Sequence, residues 1–596
     1  MKRFPTLPLL SLFIALAQSR SLEPRQNSNS TDCRNVPGSA GYPSPTAWNV
    51  FNATIFGRLL EVVPPAKYYD YLPAGGCTDA QWTSALFRGT IPGAMSYINW
   101  EQGYDLDPPS LCLRNGTTCG QGDLPVYSVE AETVGDVQAA VQFASKHNLR
   151  LVVKSTGHDG LGRSTAPNSL LIRVSKFQNV SSTDEFYVGG ENMGSAVTIG
   201  SGVHANTIYQ HNKGQGKFSV VAAAETVAPA GGQIQGGGHS PLSPAYGLVS
   251  DNALEFDIVV ASGELLRASS ASNPDLFFAL RGGGAGSWGV IISATIRTFP
   301  TFNATSAVTV LQVPNNTVVG SLATLHAQHV FDWDSVQAGH FFWFEKTQIG
   351  STDPNVPTSF ILFTYMPNTT AEQSQILLAP FINASLALPG VVFVSQTFKD
   401  GEINDVMFGP DDGVGGNVVL GSRLVPEALY RDSPEKVGPV YKELFDNGTT
   451  AQSNILPFPL LTTNSHGRLL GQMVSGGTVS KNGHISSAVH PAWRAAKTHL
   501  MFANSWDDSA SLAQVDALRA MFQTTQLPLL EKLSGLNAGA YSNEADNSEP
   551  DFQSTFFGPN YAKLSDIKAK YDPHDLFIVA AGVGSERWDE WGLCRV

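Results

Sequence analysis

Charged side chains are scarce in this sequence of 596 residues. Asp, Glu, Lys and Arg make up 15% of the chain, against about 25% in ordinary soluble domains. Hydrophobic residues make up 42%, so a disordered chain is excluded and there is enough apolar material for a large core. The net charge is −14 with no basic stripe, and we therefore expect no nucleic-acid partner, because phosphates attract clustered Lys and Arg.

Cysteine is absent from residues 120–593. The five cysteines are Cys33, Cys77, Cys112, Cys119 and Cys594. They form no Cys-x-x-Cys pair, so we expect no metal site of the zinc or iron–sulfur kind. Cys112 and Cys119 enclose a short loop with Asn-Gly in it, and we predict a disulfide between them. The pairing among the other three stays open, because connectivity does not follow from sequence.

Long apolar runs are also missing, so no segment reaches the ~20 residues that span a membrane. The N-terminus has Lys2 and Arg3, a short apolar stretch over residues 7–16, and an A-x-A site ending at Ala17. This pattern is typical of a secretory signal peptide, and we expect a soluble, secreted protein. Nine N-x-[ST] sequons predict N-glycosylation; they lie at Asn29, Asn52, Asn115, Asn179, Asn303, Asn315, Asn368, Asn383 and Asn447.

Short strand and helix patterns follow one another without the long repeats of a doubly wound sheet, which predicts an α+β fold. Apolar residues at helical spacing predict a helix over 133–146, followed by a buried strand over 149–154. We divide the chain into five parts: a signal peptide (1–17), a disulfide-stapled N-terminal lobe (18–124), a domain with glycine-rich loops (125–302), a second large domain (303–530) and a C-terminal segment (531–596).

Two glycine-rich loops each follow predicted strands. They are KSTGHDGLGRS at 154–164 and GGQIQGGG at 231–238. Glycine allows the backbone to turn and to approach a phosphate closely, so the pair could hold a pyrophosphate from two sides. A third run, 284–289, satisfies G-x-G-x-x-G. It precedes a strand pattern and has no acidic residue in the next 20 positions, so we interpret it as a turn rather than a nicotinamide site.

These loops, together with YGLVSDN at 246–252 and RGGGAGSWGV at 281–290, resemble the FAD-binding domain of the vanillyl-alcohol-oxidase/p-cresol-methylhydroxylase flavoproteins. The Y-x-N at 541–543 and the pattern over 557–577 resemble the berberine-bridge-enzyme-like branch. The cysteine-containing N-terminal lobe and the GVGSE ending at 582–586 are most similar to those of secreted fungal proteins described as isoamyl alcohol oxidases. The resemblance implies a two-part FAD-binding domain, an α+β substrate domain with an antiparallel sheet over 303–530, and a C-terminal segment that returns to the FAD domain.

The resemblance also implies roles for single residues. His158 matches the histidine that carries FAD through a covalent bond to the 8α-methyl, and a neutral imidazole has the required nucleophilic nitrogen. The other implied cofactor-binding residues are Ser155, Thr156, Gly157, Asp159, Gly160, Gly162, Arg163, Ser164, Gly231, Gly232, Gly236, Gly237, Gly238, His239, Asp251, Asn252, Gly289 and Val290.

One departure from the family concerns a second covalent link. The berberine-bridge branch often has a cysteine thirteen residues before the end of the Gly-Gly-Gly run, and that position is Glu225 here. We therefore expect a single link, through His158 alone.

Alcohol oxidation at a flavin also needs a group that takes the hydroxyl proton. Tyr541 and Asn543 match the family's Y-x-N beside the flavin, although Tyr541 as a base would need its free pKa of ~10 lowered. His340 and Glu345 lie on opposite faces of an aromatic strand; a core position is the simpler interpretation for His340. Glu225 and His239 are further alternatives.

We therefore expect a secreted FAD-dependent oxidase that acts on an alcohol or another C–H next to a heteroatom, with a small-molecule substrate and O₂ as partners. The alternatives are a tailoring enzyme that performs an oxidative cyclisation, a carbohydrate oxidase, and a flavin-free secreted binding protein built on the same scaffold.

Overall fold

The computed structural model describes residues 32–68, 77–114, 116, 118–347, 353–409, 412–446, 468–535 and 538–596. The predicted signal peptide and the sequons at Asn29, Asn115 and Asn447 lie outside these residues. In the described part of the chain, no helix is both long and apolar enough to cross a bilayer.

Within the described residues, the first half of the chain builds two two-stranded sheets, β6-β7 and β13-β9, and two larger sheets. One has the order β1-β2-β4-β3 with parallel pairing of β2, β4 and β3, and the other is antiparallel with the order β11-β10-β12-β8-β5. The strands are β1 Leu59–Glu61, β2 Tyr127–Glu130, β3 Leu151–Lys154, β4 Leu170–Arg173, β5 Val180–Thr183, β6 Tyr187–Val188, β7 Glu191–Asn192, β8 Ala196–Gly200, β9 Lys217–Phe218, β10 Ala253–Val259, β11 Leu265–Ser269, β12 Val290–Arg297 and β13 Phe299–Pro300.

Eight helices accompany these strands in the described residues. They are α1 Pro45–Thr54, α2 Pro65–Tyr68, α3 Asp79–Trp82, α4 Ala85–Arg88, α5 Val134–Lys146, α6 Ala205–Lys213, α7 Ser243–Tyr246 and α8 Pro274–Leu280. The predicted helix over 133–146 is α5, which begins after Thr133 because that side chain caps the free N–H of Asp136. The buried face of α5 covers the four-stranded sheet together with Trp48 and Phe51 of α1.

The second half builds one antiparallel sheet of seven strands, in the order β17-β14-β16-β15-β19-β20-β18. These strands are β14 Asn303–Val313, β15 Gly339–Lys346, β16 Thr358–Pro367, β17 Val392–Glu402, β18 Asn417–Pro426, β19 Arg468–Met473 and β20 Ala496–Trp506. The helices of this half and of the C-terminal segment are α9 Asn316–His329, α10 Ala371–Leu386, α11 Ile403–Met407, α12 Glu427–Asp432, α13 Val437–Asp446, α14 Gly477–Lys481, α15 Leu512–Met521, α16 Leu527–Ser534 and α17 Tyr561–Tyr571.

Strand alternation gives the large sheet two different faces. One face packs on α9, α10, α13 and α16 through a core that includes Phe342, Phe344, Leu469, Leu500 and Phe502. The residues between them, on the same strands, face the first half of the molecule. The predicted α+β architecture, with a two-part first domain and an antiparallel sheet in the second, is thus confirmed.

The C-terminal segment lies against the first half of the molecule. Lys568 of α17 donates hydrogen bonds to the carbonyls of Ser287 and Phe577 and to the carboxylate of Asp572, all in the core. The cysteines hold the two ends of the chain together, since Cys33 is bonded to Cys594 across 561 residues. The predicted Cys112–Cys119 bridge is confirmed, and Cys77 is the free thiol.

We expect replacement of Cys33 and Cys594 by serine to lower the free energy of unfolding by about 2–5 kcal/mol, because the bridge removes conformational freedom from the unfolded chain. Thermal unfolding followed by circular dichroism measures the change. Cys77→Ser is the matched control and should leave the melting temperature unaltered. An unchanged melting temperature in the double variant would show that the backbone pairing of Arg34 with Leu593 holds the ends without the bridge.

Candidate active site

A cleft of about 390 Å³ lies between the glycine-rich loops and the large sheet. Its walls come from the loop after β3, the loop before α7, the free face of β15, β18, β19 and β20, and the C-terminal segment around Tyr541. Of the predicted site residues, those lining the cleft are Ser155, Thr156, Gly157, His158, Asp159, Gly160, Arg163, Ser164, Gly231, Gly232, His239, Gly289, Tyr541 and Asn543.

The loop that carries His158 is fixed by the N-terminal lobe. Lys154, the last residue of β3, is buried and donates to the carbonyls of Ile91 and Pro92 at 3.2 and 2.8 Å. Burial lowers the pKa of this amine to about 7. Ser96 N–H donates to the carbonyl of Gly157 at 3.0 Å. The lobe therefore determines where His158 enters the cleft.

The imidazole of His158 faces the cleft with a carboxylate behind it. The side chain is 30% exposed, and its Nε2 lies 3.9 Å from Oδ2 of Asp412. That oxygen also accepts from the backbone N–H and the hydroxyl of Thr226, at 3.0 and 2.9 Å. The carboxylate is thus held in place, and the ring edge of His158 is accessible to a ligand.

The second glycine-rich loop requires its glycines because another segment packs directly on it. A Cβ at Gly236 would lie 2.4 Å from Nδ2 of Asn543, and a Cβ at Gly231 would lie 2.7 Å from Cβ of Ser155. Gly237 and Gly238 have φ of 108° and 71°, which L side chains rarely adopt. The loop can therefore lie beside both the His158 loop and the C-terminal segment.

The side chain of Asn543 connects these three segments. Its Oδ1 accepts from Arg163 at 2.8 Å, and its Nδ2 donates to the carbonyl of Gly232 at 3.3 Å and to the hydroxyl of Tyr541 at 3.0 Å. Asn543 therefore acts as a brace between these segments, and its predicted position beside the flavin stays a prediction.

The polar atoms along the cleft fit a large polar cofactor such as FAD. Among the described residues, Ser201 Oγ and the acceptor oxygens Gln233 Oε1 and Gln235 Oε1 are buried without a hydrogen-bond partner, and so is the donor Nε of Arg163, which lies 4.0 Å from Asp159 Oδ1. All four residues line the cleft. A buried polar atom without a partner is costly, so these positions are suited to the hydroxyl, phosphate and ring atoms of a bound dinucleotide.

A polar cluster stands at the sheet side of the cleft. The Glu544 carboxylate accepts from His239 Nε2 at 3.1 Å and from Gln472 Nε2 at 3.2 Å, and it lies 3.6 Å from His499 Nδ1. Burial by itself would raise the pKa of Glu544. The attraction of His239, followed by that of His499 and the Gln472 hydrogen bond, lowers it to about 2. Burial lowers the pKa of His499 to about 3.

Tyr541 does not have the surroundings of a base. Burial, and then the nearby Glu544 carboxylate, raise its pKa above the ordinary value, which is opposite to what the sequence interpretation required. Its hydroxyl accepts hydrogen bonds from Asn543 and from the backbone N–H of Gly238. The proton of the Tyr541 hydroxyl is not used by those two contacts, so this group can donate a hydrogen bond into the cleft.

The two candidate bases on strand β15, His340 and Glu345, do not line the cleft. His340 is fully buried on the helix-covered face, in contact with the ring of Trp333 at 4.6 Å between centroids. Strand alternation places its neighbour Phe341 in the cleft instead. Glu345 lies on the cleft side of β15, 3.9 Å from Arg468, and does not line the cleft.

Some predicted cofactor residues have structural roles. Asp251 receives two hydrogen bonds from Arg494, at 2.7 and 2.8 Å. Asn252 donates to the backbone carbonyls of Tyr246 and Leu248. Val290 is buried in the core under α5, and Gly162 packs on the ring of Trp100. Glu225, which the sequence offered as an alternative base, is absent from the lining of the cleft, whereas Ala222, Ala223 and Ala224 belong to it.

Sequence reasoning missed Glu544, His499, Gln472 and Arg468. Glu544 directly follows Asn543, so its proximity to the Y-x-N motif was the available signal. His499 and Gln472 are 27 residues apart, and only the pairing of β19 with β20 places them opposite each other. No local pattern distinguishes the strand face on which they lie.

Comparison with known proteins agrees with this geometry. Residues 125–269 match the family described as FAD binding domain, and residues 540–584 match the family described as berberine and berberine like. An FAD-linked oxidoreductase of Arthroderma benhamiae is 36% identical over 94% of this chain and 96% of the relative. The flavin-dependent oxygenase ucdF of Aspergillus ustus is 32% identical, over 92% and 98% respectively.

Solved structures show the same architecture. Two VAO-type flavoproteins of Myceliophthora thermophila C1 superpose with TM-scores of 0.79 and 0.81, at 29% and 27% identity, over 95% of this chain and 100% of each of theirs. Berberine bridge enzyme from Eschscholzia californica shares the fold at 15% identity, with a TM-score of 0.62 over 90% of this chain and 98% of its own.

The fold and the cleft thus define a flavin-dependent oxidoreductase. More narrowly, the chain belongs to the FAD-linked oxidoreductases of the vanillyl-alcohol-oxidase and berberine-bridge-enzyme type. Its cofactor is FAD, as the sequence predicted.

We expect Gly236→Ala to reduce the amount of flavin retained and to destabilise the fold by about 1–3 kcal/mol, the scale of an overpacked core, because the new Cβ displaces Asn543. The ratio of flavin to protein absorbance and the melting temperature measure the two effects. Gly135→Ala in α5 is the control, since its Cβ would meet its nearest neighbour at 3.6 Å. If Gly236→Ala keeps normal flavin content, the brace through Asn543 is dispensable.

Proposed function

We propose that the protein is a secreted, glycosylated FAD-linked oxidase that acts on an alcohol with an apolar carbon skeleton. FAD would be attached covalently through His158, and O₂ would be the electron acceptor, giving H₂O₂. The observation that carries the proposal is the cleft in which His158 faces a mixed wall of apolar and hydrogen-bonding side chains.

The apolar part of this wall supports an alcohol rather than a sugar. It consists of Val418, Leu420, Leu470, Met501 and Phe341, and such side chains bury hydrocarbon well. A polar cluster around Glu544 lies beside this apolar wall, because Gln472 lies two positions after Leu470 on the same face of β19. A carbohydrate would leave many hydroxyls without partners along the apolar wall. The flavin-dependent oxygenase ucdF is among the relatives, so a tailoring reaction is the second candidate.

Bound FAD supplies the two-electron acceptor for a C–H bond next to oxygen. The protein's part is to hold the substrate hydroxyl at the polar cluster around Glu544, to take its proton and to exclude water. The apolar wall orients the carbon chain, and Tyr541 donates a hydrogen bond to the substrate oxygen.

Export and glycosylation are supported by where the sequons lie. Asn179, Asn303, Asn368 and Asn383 are exposed, and Asn52 and Asn315 are partly exposed. None of the described sequons is buried, so each can be reached by a glycan.

Screening the purified protein for peroxide release tests the function. The panel consists of 3-methylbutan-1-ol, benzyl alcohol, longer primary and secondary alcohols, and cello- and chitooligosaccharides. We expect peroxide with apolar alcohols. Peroxide only with oligosaccharides would contradict the assigned substrate class, and a protein without a flavin spectrum would contradict the function itself.

Covalent attachment is tested by His158→Ala. We expect the flavin of the unaltered protein to remain with the polypeptide after acid precipitation, and that of the variant to stay in the supernatant, because the imidazole nitrogen that forms the bond is gone. A digest should give one flavin peptide, containing His158, and no flavin bound through sulfur. His484→Ala, an exposed histidine, is the control; acid-stable flavin in His158→Ala would refute the assignment.

A further inference from the structure

The Glu544 carboxylate keeps acceptor capacity that the protein does not use. A carboxylate offers about four lone-pair positions. Here Oε1 accepts from His239, and Oε2 accepts from Gln472 with His499 nearby. The side chain is 31% exposed and lines the cleft, so the remaining positions are available to a ligand hydroxyl.

Tyr541 is complementary to Glu544. Its oxygen already accepts from Asn543 and Gly238, while its proton is available. His239 stands between the two groups, with its ring 5.2 Å from that of Tyr541 and its Nε2 on the carboxylate. The cleft therefore presents one anionic acceptor and one neutral donor to the same region.

We propose that Glu544 is the catalytic proton acceptor of the proposed oxidation, that His239 is a positioning residue for its carboxylate, and that Tyr541 donates to the substrate oxygen. The inference rests on the proposed function. The alcohol O–H bond breaks and its proton passes to Glu544, while the C–H bond breaks and its hydrogen leaves with both electrons as a hydride to FAD. The alcohol is oxidised by two electrons to the carbonyl compound, and O₂ takes the electrons afterwards to give H₂O₂.

The neighbours of Glu544 keep its carboxylate ionised. The groups that face it from the surrounding elements are Tyr97 of the N-terminal lobe, His239 of the glycine-rich loop, Gln472 of β19, His499 of β20 and Tyr541 of its own segment. Of these, His239, His499 and Gln472 lower the pKa of Glu544 to about 2, although burial would raise it. The carboxylate is therefore ionised at neutral pH, which is the form that can accept a proton.

The ligand atoms of His239, His499 and Glu544 all lie within 4.8 Å of one another, which is close enough for a metal ion as well as for hydrogen bonds. His239 and His499 approach different oxygens of the carboxylate, at 3.1 and 3.6 Å. We assign these contacts to a hydrogen-bonded, proton-accepting network, and the metal content of the purified protein tests that assignment.

The first test is Glu544→Gln, measured by anaerobic stopped-flow reduction of the bound flavin with the alcohol that gives the most peroxide in the screen. We expect a loss of about 10²-fold or more at saturating alcohol, the scale of a missing general base. Glu372→Gln, the same change on an exposed helix position, should reduce flavin at the normal rate. Tyr541→Phe should lose less than Glu544→Gln. A normal rate in Glu544→Gln together with a large loss in Tyr541→Phe would overturn the proposal.

The second test separates a catalytic network from a structural one. His239→Gln keeps an amide that can donate to Glu544 but removes the imidazole whose attraction lowers the pKa of that carboxylate. Burial then raises the pKa of Glu544, and the carboxylate becomes protonated at a higher pH than in the unaltered protein. We expect the reduction rate of this variant, followed as the pH is lowered, to fall at a higher pH than that of the unaltered protein. Superimposable pH profiles would contradict the assigned role of His239.

A binding measurement tests, without turnover, whether Glu544 contacts a ligand in the cleft. The probe is 3-methylbutylammonium, which carries N–H donors and a positive charge in place of the alcohol O–H. We expect calorimetry to show binding at least about tenfold weaker to Glu544→Gln than to the unaltered protein and to Glu372→Gln, because a charge pair of ~1.4 kcal/mol is lost.

The outcomes distinguish the two proposals. If no alcohol reduces the flavin but the ammonium probe binds through Glu544, the proposed function fails, and the assignment of Glu544 as the acceptor in the cleft stands. Equal binding of the probe to the unaltered protein and to Glu544→Gln overturns the inference. A stoichiometric divalent metal in the purified protein that Glu544→Gln loses would also overturn it, in favour of a metal site.

Discussion

The packing of the Asn543 side chain on the second glycine-rich loop is the contact on which the rest of the site depends. The Asn543 amide accepts a hydrogen bond from Arg163 of the His158 loop and donates hydrogen bonds to the carbonyl of Gly232 and to the hydroxyl of Tyr541. It occupies the space that a Cβ at Gly236 would need. Because a single planar group bonds to three segments distant in sequence, the position of each segment determines that of the other two.

This contact gives the C-terminal segment its function. Tyr541 and Glu544 lie on either side of Asn543 in sequence, so the brace that holds the amide also presents the phenol and the carboxylate to the cleft. Their environments then separate their roles. Burial keeps the phenol protonated, while neighbouring histidines keep the carboxylate ionised against the same burial. A donor and an acceptor therefore coexist within one short stretch of chain.

The large sheet contributes through the alternation of its strands. Phe342, Phe344 and Leu469 fill the core beneath the helices, so Phe341, Leu470 and Gln472 must face the cleft. His340 is a core residue for the same reason, since it lies two positions before Phe342 and therefore on the same face of the strand. The N-terminal lobe has a comparable supporting role, because buried Lys154 ties the start of the His158 loop to the carbonyls of Ile91 and Pro92.

The sequence by itself determined the α+β class of fold, the two loops and one disulfide, and its resemblance to a known family gave the cofactor. The loops and α5 depend on local signals, which are glycines where the backbone must come close and apolar residues at helical spacing. The resemblance depends on motifs that follow one another in order along the chain. Only the tertiary structure decided the pairing of Cys33 with Cys594, the bracing role of Asn543 and the cluster of Glu544, His239 and His499. Each of these joins residues from separate parts of the chain, and such contacts follow from strand register and burial, which no local pattern specifies. The roles of Tyr541 and Glu544 were undecided for the same reason, since a pKa depends on the charges and the burial that folding brings about.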